Sequence, residues 1–152
     1  LTQYTDYGLR TLIALGLAQP RSMTVAQVSS AYDISRHHLV KIAARLAELG
    51  YIQTLRGKGG GMRLARDPRE IRIGDVVRGM ETELGVVECL ESGGGTCVIV
   101  PSCRLKPMLA TATERFMDEL DAHTLADVLQ PRLPLARLLG IAVVAEPART
   151  RA

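Results

Sequence analysis

The three cysteines of this chain lie within seventeen residues, at Cys89, Cys97 and Cys103. Gaps of seven and five residues separate them, which is too open for the paired C-x2-C spacing of zinc ribbons or knuckles. Thiolates are soft ligands that suit iron–sulfur clusters, and the glycines at 93–95 would let the loop wrap a bulky cofactor. The spacing therefore predicts a cluster held by three thiolates, with one iron left for a weaker, non-thiolate ligand.

Catalysis at these thiols is not predicted. A catalytic cysteine needs a nearby base, but His123 is the only histidine apart from His37 and His38, and no nucleophile motif surrounds any thiol. A second glycine-rich stretch, RGKGGG at 56–61, is no phosphate-binding loop, because GxxxxGK[ST] is absent and no helix is predicted after it. We therefore predict that the chain is not an enzyme.

Basic residues are concentrated in one part of the chain. Residues 36–72 hold nine Lys and Arg against three acidic residues, a local charge of +6, in a chain whose net charge is only +3. Residues 1–35 balance at zero, and residues 73–152 come to −3. A basic block between neutral and acidic segments is typical of nucleic-acid binding, and a merely solvated face is the alternative.

The order of the predicted elements favours nucleic-acid binding. Apolar residues recur at helical spacing over residues 5–18, and Thr24-x-x-Gln27 forms a capping box before a second, short helix. Ser35 is placed to cap a third helix that Gly50 would end. Two capped helices joined by a tight turn predict a helix-turn-helix whose second helix enters the major groove of DNA.

A basic hairpin is predicted directly after the third helix. Two β-compatible runs, Tyr51–Leu55 and Met62–Ala65, flank the glycine-rich stretch, so this hairpin would form the wing of a winged helix. Val40 would lie on the exposed face of the third helix, either as plain surface or against a thymine methyl group. His37 would donate to DNA beside a partly packed His38. The residues predicted to contact DNA are Ser35, Arg36, His37, Val40, Lys41, Arg56 and Lys58.

The rest of the chain predicts one long helix and few other regular elements. Residues 70–81 predict a short strand that becomes a helix near Gly74, and Thr124 would cap a short helix that precedes a loosely held tail. An amphipathic helix over 105–120 carries an apolar stripe, which either packs on its own domain or, as we favour, forms a dimer interface. The stripe consists of Leu105, Met108, Leu109, Ala112, Phe116 and Leu120.

These elements predict a mainly α fold with a small β-hairpin wing, that is, a winged helix-turn-helix followed by a long C-terminal dimerisation helix. The predicted units are a DNA-binding domain, a cysteine-rich loop, a dimerisation helix with a short following helix, and a tail, over 1–80, 81–104, 105–130 and 131–152. No apolar run reaches the roughly 18 residues that a membrane span needs, and no signal peptide is evident. We expect a cytoplasmic protein without a membrane partner.

Several quoted stretches resemble one known family: "YTDYGLR", "SRHHLVKI", "LRGKGGGMRLA", "VVECL" with "CVIVPSCRLKPML", and "LDAHTLADVL". They are similar to the iron–sulfur winged-helix regulators that include IscR, and most similar to the nitric-oxide-sensing repressors of that family, the NsrR group. The resemblance covers residues 1–129. It implies a homodimer that binds double-stranded operator DNA and represses transcription until nitric oxide attacks its cluster.

The resemblance also implies a ligand set. Cys89, Cys97 and Cys103 match the cysteines that hold the cluster, and Asp6 of the partner subunit matches the fourth ligand. The cluster would be 4Fe–4S, with 2Fe–2S as the alternative, because the first gap between cysteines is longer than is usual in the family. Val40 stands where IscR has a base-reading Glu, which implies a different operator.

Three other functions remain open at this point. One is a sensor of iron or cluster supply, and another is a cluster-free regulator of the same fold that a protein partner controls. The third is an iron–sulfur electron carrier or redox enzyme, which would leave the wing and the basic block unexplained. The colour of anaerobically purified protein separates the cluster-bearing functions from the cluster-free one.

Overall fold

The computed structural model describes residues 1–58 and 60–144. Within those residues it has seven α-helices and one two-stranded hairpin. In chain order these elements are α1 (Gln3–Ala18), α2 (Val25–Tyr32), α3 (Arg36–Glu48), β1 (Ile52–Leu55), β2 (Gly61–Leu64), α4 (Ile73–Met80), α5 (Leu105–Asp121), α6 (Leu125–Val128) and α7 (Arg132–Leu138). The predicted fold class, a mainly α winged helix with a hairpin and a long later helix, is confirmed.

Helix α1 lies at the centre of the molecule. It packs against α2, α3, α4, α6, α7 and strand β2. Leu12, Leu15 and Leu17 are completely buried on it, and each fully buried leucine contributes about 1.5–3 kcal/mol to the free energy of unfolding. The small residues Gly8 and Gly16 let the side chains of Met80 and Leu129 approach the helix closely. This helix therefore joins α2, α3 and the hairpin to the C-terminal helices.

Helices α2 and α3 form the predicted helix-turn-helix. The capping box at α2 is confirmed, since Gln27 N–H donates to the Thr24 hydroxyl oxygen and Thr24 N–H donates to the Gln27 side chain. Ser35 is the N-cap residue of α3, but its side chain makes no capping hydrogen bond. Gly50 follows the end of α3 with a φ of 73°, a left-handed conformation that favours glycine.

The predicted wing is a short antiparallel hairpin. Ile52 pairs with Leu64, and Leu55 pairs with Gly61. An isolated bridge between Met23 and Met62 attaches the hairpin to the segment before α2. Because Ile52, Met62 and Leu64 are buried, the wing is anchored to the core at its base.

The short strand predicted at the start of residues 70–81 does not form. A 3-10 turn occupies Pro68–Glu70, and the Asp67 carboxylate caps it by accepting from Arg69 N–H at 2.9 Å. Only one isolated bridge follows, between Arg72 and Thr124, before α4 begins at Ile73. The segment pairs with a single residue and, within the described residues, has no neighbouring strand to pair with, so its β-compatible sequence does not form a strand.

A bidentate ion pair joins α4 to α5. Arg78 Nη1 and Nη2 donate to the two carboxylate oxygens of Asp121 at 2.6 and 2.5 Å. The hydrogen bonds from Arg78 lower the pKa of Asp121, so the carboxylate stays charged at neutral pH. Any side chain at Gly74 would collide with the Asp121 carboxylate, so this close approach of the two helices requires glycine.

Two further hydrogen-bonded links hold α4. Arg45 of α3 donates to the Gly79 carbonyl at 2.9 and 3.1 Å. At the end of α4, Glu81 accepts from the Thr2 N–H at 2.7 Å. Burial alone would raise the pKa of Glu81, but hydrogen bonds from the N-terminal threonines lower it overall. Helix α4 is therefore fixed to α3 and to the beginning of α1.

The C-terminal segment differs from the loosely held tail that the sequence predicts for 131–152. Residues 132–138 form α7, and Ala136 is buried. Leu135, Leu139 and Ile141 pack against the core, and the Arg132 guanidinium donates to the Leu17 carbonyl of α1 at 3.0 Å. Scattered apolar residues without a clear period are sufficient here, because they fill a surface that α1 already provides. Residues 145–152 of the predicted tail lie outside the described residues.

Among the helices of the described part, none is long and apolar enough to cross a membrane.

Candidate nucleic-acid interface and cysteine loop

Helix α3 presents two different faces. Its inner face packs into the core through Leu39, Ile42 and Leu46, which are at most 1% exposed. Its outer face is solvent-exposed, and Val40 is 58% exposed there. All of the predicted DNA-contact residues are exposed, namely Ser35, Arg36, His37, Val40, Lys41, Arg56 and Lys58. Their roles stay predictions, but the structure leaves each of them accessible.

Part of the basic block is already engaged within the chain. Arg45 donates to a carbonyl of α4 at 2.9 Å, Arg66 donates to a carbonyl at the end of α3 at 3.2 Å, and Arg69 pairs with Asp67 at 2.7 Å. The remaining cations on α3 and the wing are not engaged in this way. In the described part of the chain, no side-chain partner is found for Arg36, Lys41, Arg56 or Lys58.

The two adjacent histidines of α3 point in different directions. The ring centroids of His37 and His38 are 6.3 Å apart, and the rings are tilted by 52°. His38 is exposed rather than partly packed, but its ring stacks against Tyr7 of α1 with centroids 6.5 Å apart. His37 has no such contact with α1 among the described residues, so its ring is accessible to a ligand.

A shallow groove between α3 and the wing was not predicted. Its volume is about 360 Å³, and Val40 and Ala44 of α3 line one side. Thr54 and Met62 of the wing line the other side. The outward position of Ala44, four residues after Val40, was the signal in the sequence that could have indicated it.

The cysteine loop connects α4 to α5 through two short turns. Cys89 lies in a 3-10 turn at 88–90, Cys103 follows a second turn at 100–102, and Cys97 lies between them. Cys97 is exposed, the other two are partly buried, and all three thiols are free. The Glu88 carboxylate accepts from the Thr96 N–H at 2.6 Å, which closes the loop between the first two cysteines.

The donor set fits an iron–sulfur cluster by its chemistry. Three free thiols lie on one loop, and Gly94 and Gly95 adopt φ values of 72° and 63°, which other residues rarely adopt. Within residues 1–58 and 60–144, however, no group of three or more His, Cys, Asp or Glu is close enough to hold a metal ion. The loop would therefore have to close further to bring the thiols around one cluster.

Asp6 lies in the first turn of α1, where its carboxylate pairs with Arg10 at 2.8 and 3.0 Å. The chain does not bring Asp6 together with its own three thiols. The Arg10 guanidinium also lies over the rings of Tyr7 and Tyr32. Burial raises the pKa of Tyr32 to about 12, so this hydroxyl remains neutral beside the ion pair. Because exposed ion pairs contribute about 0–1 kcal/mol, the Asp6 carboxylate could be released at little cost.

Two further side chains that could bind iron, those of Glu88 and His123, already have partners within the chain. Glu88 accepts a hydrogen bond from Thr96, and His123 Nε2 lies 3.1 Å from the Glu119 carboxylate.

Helix α5, which follows the cysteine loop, leaves much of its apolar stripe uncovered. Leu105, Met108 and Phe116 are 57%, 66% and 45% exposed. The stripe therefore does not pack back fully on its own domain.

Comparison with known proteins gives the family. A profile of the Rrf2 family, described as iron-dependent transcriptional regulators, matches residues 1–131. The chain belongs to the Rrf2 family. As an Rrf2 protein it is a transcriptional regulator. This confirms two predictions: the chain belongs to a class of DNA-binding proteins, and it is not an enzyme.

Two Rrf2 relatives are similar over almost their whole length. The HTH-type transcriptional regulator NsrR of Geobacillus kaustophilus is 49% identical over 140 residues, which cover 91% of this chain and 95% of that protein. NsrR of Bacillus subtilis is 43% identical over 140 residues, covering 91% of this chain and 96% of that protein.

Solved structures of the Rrf2 fold are also similar. CymR, the global cysteine regulator of B. subtilis, has a TM-score of 0.68 at 23% identity, with 84% of this chain and 94% of that chain covered. IscR of T. potens has a TM-score of 0.64 at 24% identity, with 88% of each chain covered. At these identities the likeness shows the fold.

Proposed function

We propose that this Rrf2 regulator is a cytoplasmic repressor that senses nitric oxide through an iron–sulfur cluster and releases its operator on nitrosylation. One observation carries the proposal: three free thiols lie on a single glycine-rich loop in a chain that is 49% identical to an NsrR protein. The exposed outer face of α3 supports the DNA-binding part of the proposal, because four cations on α3 and the wing have no partner in the described residues.

Cys89, Cys97 and Cys103 would hold the cluster, which is 4Fe–4S in this proposal. When bound, it would supply iron atoms that nitric oxide can attack. Cys89 and Cys103 are partly buried at the two turns and would anchor the ends of the loop. Cys97, on the exposed middle of the loop, has the greatest freedom to close onto a ligand.

Asp6 of the partner subunit would provide the fourth ligand. Two features support this role: the carboxylate lies in the first turn of α1, and it is held only by an exposed ion pair with Arg10. A carboxylate is a harder ligand than a thiolate and binds soft iron–sulfur sites less firmly. An exchangeable ligand of this kind is suited to a site that must react with a small gas.

The regulator would act as a homodimer through α5. Leu105, Met108 and Phe116 leave an apolar stripe exposed, and a second copy of the same helix would cover it. Two-fold symmetry would then place two α3 helices on two half-sites of an operator, about one helical turn or a multiple apart.

Nitric oxide titration of the anaerobic protein tests the proposal. The purified protein is expected to be brown, and visible absorbance and operator binding should be lost over the same range of nitric oxide. Colourless protein that still binds its operator would contradict the proposal and favour a regulator controlled by a protein partner. A brown protein whose operator binding responds to iron supply but not to nitric oxide would instead indicate a sensor of iron or cluster supply.

Arg56→Ala and Lys41→Ala are expected to weaken operator binding without changing the visible spectrum. Each variant removes a cation that has no partner within the described chain and that lies away from the thiols. If the lost contact is to a phosphate, the slope of log affinity against log salt should fall by about one unit. Fluorescence anisotropy at several salt concentrations measures both quantities.

Arg69→Ala is the matched control for these two variants. It removes one positive charge from the same basic block, but the exposed Arg69 guanidinium is already paired with the Asp67 carboxylate. Its operator affinity should stay close to that of the parent. Equal affinities for all three variants and the parent would show that the recognition surface lies elsewhere.

Asp6→Ala is expected to keep some cluster but to alter its spectrum and its reaction with nitric oxide. Three thiols remain, so metal binding should persist, whereas the fourth iron would lose its carboxylate. Anaerobic absorbance and resonance Raman spectra check this outcome. Arg10→Ala is the control, because it breaks the same ion pair and leaves the carboxylate in place. Spectra of Asp6→Ala identical to those of the parent would remove Asp6 from the site.

A further inference from the structure

The groove between α3 and the wing has an unusual chemical character for a basic DNA-binding surface. Its lining is almost entirely apolar, and its volume is about 360 Å³. Val40, a β-branched residue with a slightly unfavourable helix propensity, is 58% exposed at its edge. Among the residues that the structure describes, no charged side chain lines it. The residues that line it are Thr24, Val25, Val40, Ala43, Ala44, Thr54, Gly61 and Met62.

On each side of this groove, a cation without a partner in the described chain lies close in sequence to a lining residue. Lys41 follows Val40 on α3, and Arg56 lies two residues after Thr54, directly after the end of β1. Neither side chain has a partner within residues 1–58 and 60–144. An occupant of the groove must therefore be apolar itself and be attached to a polyanion. Duplex DNA meets both conditions when it presents an apolar group at a base edge.

Only one base edge of DNA meets this requirement in the major groove. Guanine, cytosine and adenine present hydrogen-bonding atoms there, whereas thymine adds a C5-methyl group. The outer positions Val40 and Ala44 are one helical turn apart, so they can face the same base step. Neither has a donor or an acceptor in its side chain. This part of α3 can therefore select a base only by apolar contact.

We propose that this groove receives the C5-methyl group of a thymine in each operator half-site, with Val40 and Ala44 as the residues that select it. The inference rests on the proposed operator binding and adds the base that this part of the surface reads. Thr54 lines the groove from the wing side, so the wing would contribute to the contact with the methyl group.

Replacing single thymines by uracil tests the inference, because this change removes the methyl group and leaves base pairing intact. The probe is a duplex selected from a random-sequence library by the anaerobic holoprotein, with dU in place of one dT at a time. At one or two positions in each half-site, dU should weaken binding about three- to fivefold, which corresponds to one buried methyl group. Val40→Ala should bind the dT and dU duplexes with equal affinity at those positions.

Arg69→Ala is the control, and it should retain the full dU penalty. The exposed position of Val40 makes the Val40→Ala variant compatible with the fold, and circular dichroism checks this. If no dU substitution weakens binding, or if Val40→Ala keeps the parent's discrimination, the inference is overturned. Failure to select any sequence from the library would instead contradict the proposed operator binding itself. The two failures are therefore distinguishable.

Discussion

Cys97→Ala is expected to abolish stable cluster binding and high-affinity operator binding together. Cys97 is the exposed thiol between the two turns of the loop, and only two thiols would remain without it. Two thiolates and an exchangeable carboxylate cannot hold a four-iron cluster firmly. Anaerobic absorbance, iron content and operator anisotropy should all fall to the level of the cluster-free protein, with at least a tenfold loss of affinity, or about 1.4 kcal/mol.

Ser102→Ala is the control for this experiment. Ser102 is an exposed residue of the same loop, next to Cys103, and its replacement leaves all three thiols in place. It should resemble the parent in colour and in affinity. A Cys97→Ala protein that stays brown and binds its operator with the affinity of the parent would exclude this cysteine from the site.

Phe116→Glu is expected to split the proposed dimer. Phe116 is 45% exposed in one chain, and a second copy of α5 would bury it in the interface. Burying an unpaired carboxylate costs several kcal/mol, which is comparable to the whole stability of a modest dimer. Sedimentation velocity should show monomers, and operator affinity should fall at least tenfold because only one half-site can be contacted at a time.

Thr111→Glu provides the comparison on the same helix. Thr111 is exposed and lies outside the apolar stripe, and its replacement by Glu introduces the same negative charge. This variant should remain dimeric. Circular dichroism of both variants separates loss of the dimer from loss of the fold. An intact, folded Phe116→Glu dimer would place the interface on another surface.

The DNA-binding elements could be predicted from the sequence because their signals are local. A capping box at Thr24 and Gln27, a glycine at 50 and a glycine-rich hairpin each act within a few residues. The structure confirms these elements. The DNA contacts and the cluster ligands stay predictions, because they depend on DNA, a cluster and a second subunit that the single chain does not contain. The division into four units also stays a prediction, apart from the tail, where α7 forms.

Other features could not be predicted, because long-range contacts determine them. Helix α7 has no clear apolar period, but Ala136 and its neighbours fill a surface of α1 that lies more than a hundred residues earlier. The local charge of +6 likewise does not reveal that Arg45 and Arg66 are engaged by main-chain carbonyls. The number of charges in the block can be counted from the sequence, but the atoms to which each cation donates cannot.

The three links that hold α4 have a consequence for operator architecture. Arg45, Arg78 and Glu81 tie this helix to α3, α5 and α1, and its inner face is buried. In the proposed dimer, these links would connect α3, which carries the predicted DNA contacts, to α5 through α4. Inserting one base pair between half-sites rotates them by about 35° and separates them by about 3.4 Å. In the proposed dimer, a fixed position of α3 relative to α5 would leave that change to be taken up as twist in the DNA.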